Sequence, residues 1–257
     1  MTYCKIPRKR AMLQRHVAID TAQHVSFGIF CSMARPLQRL FAVAEDQWGL
    51  CTRQQAQHAG VRASSLARLT RDGLLDRVAH GVYRIRGTAE PDHLGLRAAW
   101  LQLEPDVPAW VRVRSPDVAV VSHASAASLY GVGDLRADVH EFTIPARRQT
   151  RRSDVRLHRG GVPDGQRLLL HGLPTTSAGL MIADLLDDHI EPESVAQITA
   201  EVVQRALDSP SSIAACIAPS AGRYGFRRGD GVALLDHLLT MAGYSIQPEM
   251  VAMARER

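Results

Sequence analysis

From position 37 to 85 the apolar residues run first with a helical period and then with a strand period. Leu37, Leu40, Phe41 and Ala44 fall at i, i+3, i+4 and i+7, one face of a helix that opens behind Pro36. Thr52 followed three residues later by Gln55 is a capping box, which starts a second helix. Ala56 and Ala59 keep that helix thin on its inner side, and Gly60 suits its left-handed end. A third helix, about 63–72, turns Leu66 and Leu69 inward and closes at Gly73. Leu74 and Leu75 lead into two strands, through Val78 and through 82–85, with the turn at His80 and Gly81. Helix, helix, turn, helix and basic hairpin in this order predict a winged helix-turn-helix over 35–90.

The remainder, 91–245, predicts a second domain of mixed α/β character, so the whole chain reads as α+β. Leu94, Leu96, Trp100, Leu101 and Leu103 mark a helix after a linker. Val118, Val120 and Val121 suggest a short buried strand, with Ser122 capping the helix behind it. A strand is expected over 139–144, where Val139, Glu141 and Thr143 alternate with His140, Phe142 and Ile144. The segment 168–185 reads as strand, break at Pro174, cap at Thr176 or Ser177, then helix. Two further helices are expected around 193–207 and 231–242. Residues 1–34 read as a loosely attached extension, with Met33 as an alternative start, and 246–257 as a tail.

The third helix carries Ser64, Arg68 and Arg71 on its outer stripe, where a hydroxyl and guanidinium groups can meet phosphates or guanine edges. Arg53, Arg62 and Ser65 flank that stripe, and Arg77, Arg84 and Arg86 make the hairpin basic. Eight arginines between 39 and 86 face five carboxylates between 45 and 90, a net charge of +3. That points to double-stranded DNA, with a protein-binding winged helix as the rival reading. A denser run follows at 147–159: Arg147, Arg148, Arg151, Arg152, Arg156 and Arg159 against Asp154 alone, a net +5. It suits DNA or an acidic partner, or else a solvated hairpin tip.

Composition narrows the remaining chemistry. The chain has 257 residues, 46% hydrophobic and 22% charged, with a net charge of +5, enough for two globular domains in the cytoplasm. No apolar run is long enough to span a membrane. Cys4, Cys31, Cys51 and Cys216 are scattered, without a CxxC pair, so neither a zinc site nor a disulfide framework is expected. Lys5 and Lys9 are the only lysines, which starves any lysine-dependent nuclease or phosphate site. Ser122 and His123 lack a GxSxG elbow and read as a helix cap beside a packed histidine. Asp184, Asp187, Asp188 and His189 resemble a metal cluster but fit the polar end of an amphipathic helix. No catalytic residue, metal or cofactor is expected.

Four phrases together resemble the AbiEi-type antitoxins of type IV toxin–antitoxin systems: GLCTRQQAQHAG, DGLLDRVAHGVYRI, VVSHASAASLYGV and LPTTSAGLMIADLL, spread over about 36–240. The resemblance implies an N-terminal winged helix that binds operator repeats upstream of its own gene and represses the operon. It also implies a C-terminal domain that neutralises a nucleotidyltransferase-like toxin. Relatives usually carry an arginine before the leucine of the last phrase, where this chain has Gly179. Two other readings stay open: a stand-alone regulator with a ligand-sensing second domain, and a nuclease-like enzyme.

Overall fold

Short-range signals build the small N-terminal unit. A computed structural model describes residues 35–244; the expected extension over 1–34 and the tail over 246–257 lie outside the described residues. Helix α1 covers 35–44. Leu40 and Ala44 are buried, but Phe41 is 44% exposed and Leu37 only half-buried, so half of the expected face is covered. Strand β1 (Leu50–Thr52) follows, an element too short for a period to announce. Thr52 then caps α2 (Arg53–His58): its Oγ1 accepts from Gln55 N at 3.1 Å, and its own N–H donates to Gln55 Oε1 at 3.0 Å. Gly60, at φ 76°, turns the chain toward α3 (Ala63–Arg71), whose Leu66 and Leu69 are buried.

Strands β2 (Leu75–Ala79) and β3 (Val82–Ile85) form the hairpin, and β3 lies between β1 and β2 in a three-stranded sheet. Nine residues from Leu40 to Ile85 close one core around these elements. Cys51 sits inside it, and burial pushes its thiol up to about 12, so it packs as a small apolar residue.

The larger unit carries α4 (Leu94–Leu103) and the single turn α5 (Ala109–Arg112). A five-stranded sheet follows, from β4 (Val120–Val121), β5 (His140–Ile144), β6 (Val155–Arg159), β7 (Arg167–Leu170) and β8 (Leu173–Thr176). Its order is β6-β5-β4-β8-β7, with β4–β5 and β7–β8 antiparallel and β4–β8 and β5–β6 parallel. Helix α6 (His123–Tyr130) leaves the sheet after β4, and α7 (Ala178–Asp187) after β8. Helices α8 (Pro192–Gln204), α9 (Pro210–Ile217) and α10 (Gly231–Met241) pack beyond α7, with a 3-10 turn over Ala218–Tyr224. Helices and strands mixed in this way are the expected α+β class.

Three expectations need correction. The basic run does not cap a hairpin, because β5 and β6 are parallel and 145–154 carries the chain back along the sheet. Pro174 does not break the strand: it lies within β8 in register with Leu169, and the turn is His171–Gly172, both at positive φ. Helix α9 and the 3-10 turn add to the two closing helices expected. Gly179 faces α9 closely: a Cβ there would lie 3.1 Å from Ile213 Cα, so the arginine of the resemblance would require α9 to give by a few tenths of an ångström.

The two units are sewn together by residues of the capping box. Gln47 donates to Leu50 O and Gln55 Oε1 and accepts from Ala109 N, while Gln55 donates to Val107 O and Thr52 to Pro105 O. Trp48 meets Trp100 edge-on at 6.1 Å, and the Arg97 guanidinium lies 4.5 Å above the Trp48 ring. Arg112 is fully buried 3.8 Å over Trp100 and donates to its carbonyl; burial pulls this guanidinium down to about 10. Among the described residues no helix is long and apolar enough to cross a membrane.

Candidate nucleic-acid interface

Helix α3 offers a short polar stripe. Ser64 and Arg71 are exposed, one helical face apart by seven residues, and Arg62 is exposed at the position that opens the helix. No side chain caps that opening. Ser65 is half-buried at the stripe's edge. Arg68 departs from the expectation: it is half-buried, and its Nε is out of solvent with no hydrogen-bond partner among the described residues.

The hairpin is less basic than its arginines suggest. Cross-strand register sets Asp76 opposite Arg84, which donates to it at 3.0 Å and to Glu90 at 2.7 Å, with its own side chain 17% exposed. Arg86 donates to the other oxygen of Asp76 at 2.7 Å. Hydrogen bonds from Arg86 and Arg84 hold the Asp76 carboxyl below the usual range, and the same bond raises Arg86. Two of the three arginines expected to track a phosphate backbone are therefore neutralised within the hairpin. Arg77 is exposed and lies 3.1 Å from His80 Nδ1, at the turn.

A cleft of about 520 Å³ joins the two predicted basic regions. Arg53, Gln54, Gln57 and His80 line one side of it, and Arg148, Arg151 and Arg152, on the 145–154 segment, line the other. None of its lining residues is acidic. Arg152 is held by Asp154 and by Gln102, and its hydrogen bond pulls the Asp154 carboxyl down to about 2. Arg53, Arg148 and Arg151 are exposed and form no ion pair with any described residue, and the same is true of Arg62, Arg71, Arg77, Arg147 and Arg159. Arg156 lies apart from this cleft, 3.4 Å from Glu141 and 3.3 Å from Asp188.

Those last contacts belong to a second polar cluster, which the sequence pattern misses. His123 opens α6 at φ 53°, buried, and its ring stacks 3.5 Å from that of His158 on β6. Ser122 Oγ shares hydrogen bonds of 2.9 Å with His123 Nδ1 and with Thr143 Oγ1, and so makes no side-chain cap. Glu141, buried on β5, does that work instead by accepting from Ala124 N at 3.0 Å. Its other oxygen lies 3.2 Å from His158 Nε2. Burial pushes Glu141 up, but the bond to His158 and the charge of His123 outweigh it and leave the carboxyl below its usual range. Burial pulls His123 down to about 4 and pushes Asp184, 3.8 Å away on α7, up to about 7. Of the acidic run on α7, Asp184 and Asp188 join this cluster, whereas Asp187 pairs with Ser220 and Arg223, and His189 is exposed.

No curated protein matches the chain. Residues 38–86, which hold most of α1, then α2, α3 and the hairpin, match the family model described as transcriptional regulator, AbiEi antitoxin. The first two phrases of the resemblance fall within or along that segment, and the two later ones lie beyond it. The match places the likeness to AbiEi-type regulators in the N-terminal unit and does not reach the larger one.

Proposed function

We propose that residues 35–90 are a winged helix-turn-helix that binds double-stranded DNA upstream of its own gene and represses the operon. In this reading α3 enters the major groove, with Ser64 and Arg71 at base edges and Arg62, Arg53 and Arg77 on phosphates. Arg148 and Arg151 extend the phosphate track across the cleft. Residues 91–245 form a non-enzymatic antitoxin domain that neutralises a cognate nucleotidyltransferase-like toxin in the cytoplasm, as a type IV system. The observation that carries the DNA half is the acid-free cleft: two cationic segments, distant in sequence, meet between α2, the hairpin turn and 148–152.

The test is binding of the purified chain to its own upstream region and to scrambled DNA of equal length, at about 150 mM salt, where non-specific phosphate binding is weakened. A preference for the native sequence is expected, lost in Ser64→Ala/Arg71→Ala with Tm unchanged; each base contact is worth roughly 1–3 kcal/mol of discrimination. Arg68 is left intact because its packing would confuse the result. Equal binding to both DNAs would sink the repressor reading. The toxin half is tested separately, by co-expression with the neighbouring gene product: rescue of growth supports it, and no rescue leaves a regulator without a toxin.

A further inference from the structure

The cluster where α6, β6 and α7 meet has the composition of a metal site rather than of a packed polar core. One donor atom from each of His123, His158 and Asp188 lies within 4.8 Å of the other two. On a tetrahedral zinc ion, with bonds of about 2.0–2.1 Å, two donors stand roughly 3.4 Å apart. The set therefore has to contract by no more than about 1.5 Å, within the reach of side-chain rotation. Each imidazole has one nitrogen engaged, by Ser122 for His123 and by Glu141 for His158, which orients the ring and leaves its other nitrogen open. Asp184 Oδ2, 3.8 Å from His123 Nδ1, is buried and has no hydrogen-bond partner among the described residues, so a further oxygen donor lies beside the His123 ring. His123 holds its place with a left-handed backbone, a conformation that a non-glycine residue keeps only where its surroundings impose it.

We propose that His123, His158 and Asp188, with Asp184 beside them, bind a divalent first-row transition ion of the Zn2+ class. Imidazole nitrogens with carboxylate oxygens select such an ion over Mg2+ or Ca2+, which take oxygen donors alone. The stacked rings have parallel lone pairs, so binding splays them; His158, on the edge strand, and Asp188, at the end of α7, are the parts with room to move. Arg156, which is 60% exposed and now contacts both Glu141 and Asp188, swings out to release the carboxylate. The ion then ties β6 to the start of α6 and the end of α7.

The experiment uses the full chain, stripped with a chelator and titrated with Zn2+ and with Co2+. Expected are about one ion per chain, a Co2+ visible spectrum of low coordination number, and a higher Tm with the ion. His158→Ala and Asp188→Asn abolish this uptake, Glu141→Gln weakens it roughly 10–100-fold, and Arg156→Ala strengthens it. His58→Ala, on an exposed residue of α2, leaves it unchanged. Uptake below stoichiometry, or equal uptake by the wild type and Asp188→Asn, would overturn the proposal. Asp188 is surface-placed, so that comparison stands even if His158→Ala fails to fold. DNA and toxin binding are separate readouts, and their failure would not move this one.

Discussion

Two groups of arginines in this protein have similar sequence surroundings and opposite electrostatics. On the hairpin, Arg84 and Arg86 converge on Asp76, and Glu90 takes the remaining face of Arg84. Around the cleft, Arg53, Arg148 and Arg151 stand in solvent without an acidic partner among the described residues. The first group holds a fold together, and the second is free to hold something else. A tally of basic residues does not separate them; cross-strand register and loop course do.

The strongest test of that contrast removes the cleft group. Arg53→Ala/Arg148→Ala/Arg151→Ala should leave Tm close to wild type, since none of the three is packed or paired. Each phosphate contact steepens the log–log salt dependence by about 0.9, which is worth roughly fivefold in affinity at about 150 mM salt. The triple variant should therefore lose about a hundredfold in DNA affinity and flatten the salt slope by about 2.7. A slope equal to the wild type's would show that the cleft does not touch DNA.

How much of this was readable from sequence depends on range. The capping box, the glycine at φ 76° after α2 and the two inward leucines of α3 are set within one or two turns, and they stand where the pattern puts them. The turn at His80 and Gly81 was also within reach, but that turn alone pairs 77 with 84; a bulge between Arg77 and Ala79 shifts Asp76 opposite Arg84. The cluster around Glu141 was out of reach. It depends on β5 and β6 being parallel, which sets Glu141 beside Arg156 and His158. An antiparallel hairpin with the same residues would pair them differently, and periodicity alone carries no strand direction. The same long range hides the cleft, whose two sides are about a hundred residues apart in the chain.

Arg84→Ala probes the other group and should invert the result. With 17% of its side chain exposed, Arg84 anchors Asp76 and Glu90, and its loss leaves a half-buried carboxylate with one partner fewer. A Tm lower by a few degrees is expected, with DNA affinity within about twofold of wild type at fixed salt. Thermal unfolding and a binding titration on the same preparation decide it. A large loss of affinity without loss of stability would place Arg84 on the DNA and erase the distinction between the two groups.

Asp76→Asn is the subtlest variant and the one that joins both sides of the contrast. Hydrogen bonds from Arg86 and Arg84 depress the Asp76 carboxyl in the folded protein. A depressed carboxyl stabilises the fold at pH values above its unfolded pKa, about 3.9, and loses that contribution as pH falls through the folded value. Wild type should therefore exceed Asp76→Asn in Tm from neutral pH down to about pH 4, and the gap should close below it. The substitution also removes one negative charge and frees the Arg86 guanidinium on the hairpin, while Glu90 still holds Arg84. DNA affinity should then rise a few-fold at about 150 mM salt, with a salt slope steeper by about one. A gain in affinity together with a loss in stability is the outcome expected if Asp76 holds Arg86 away from phosphate. Unchanged affinity would mean that the hairpin lies off the DNA altogether, and that α3 and the cleft carry the contact alone.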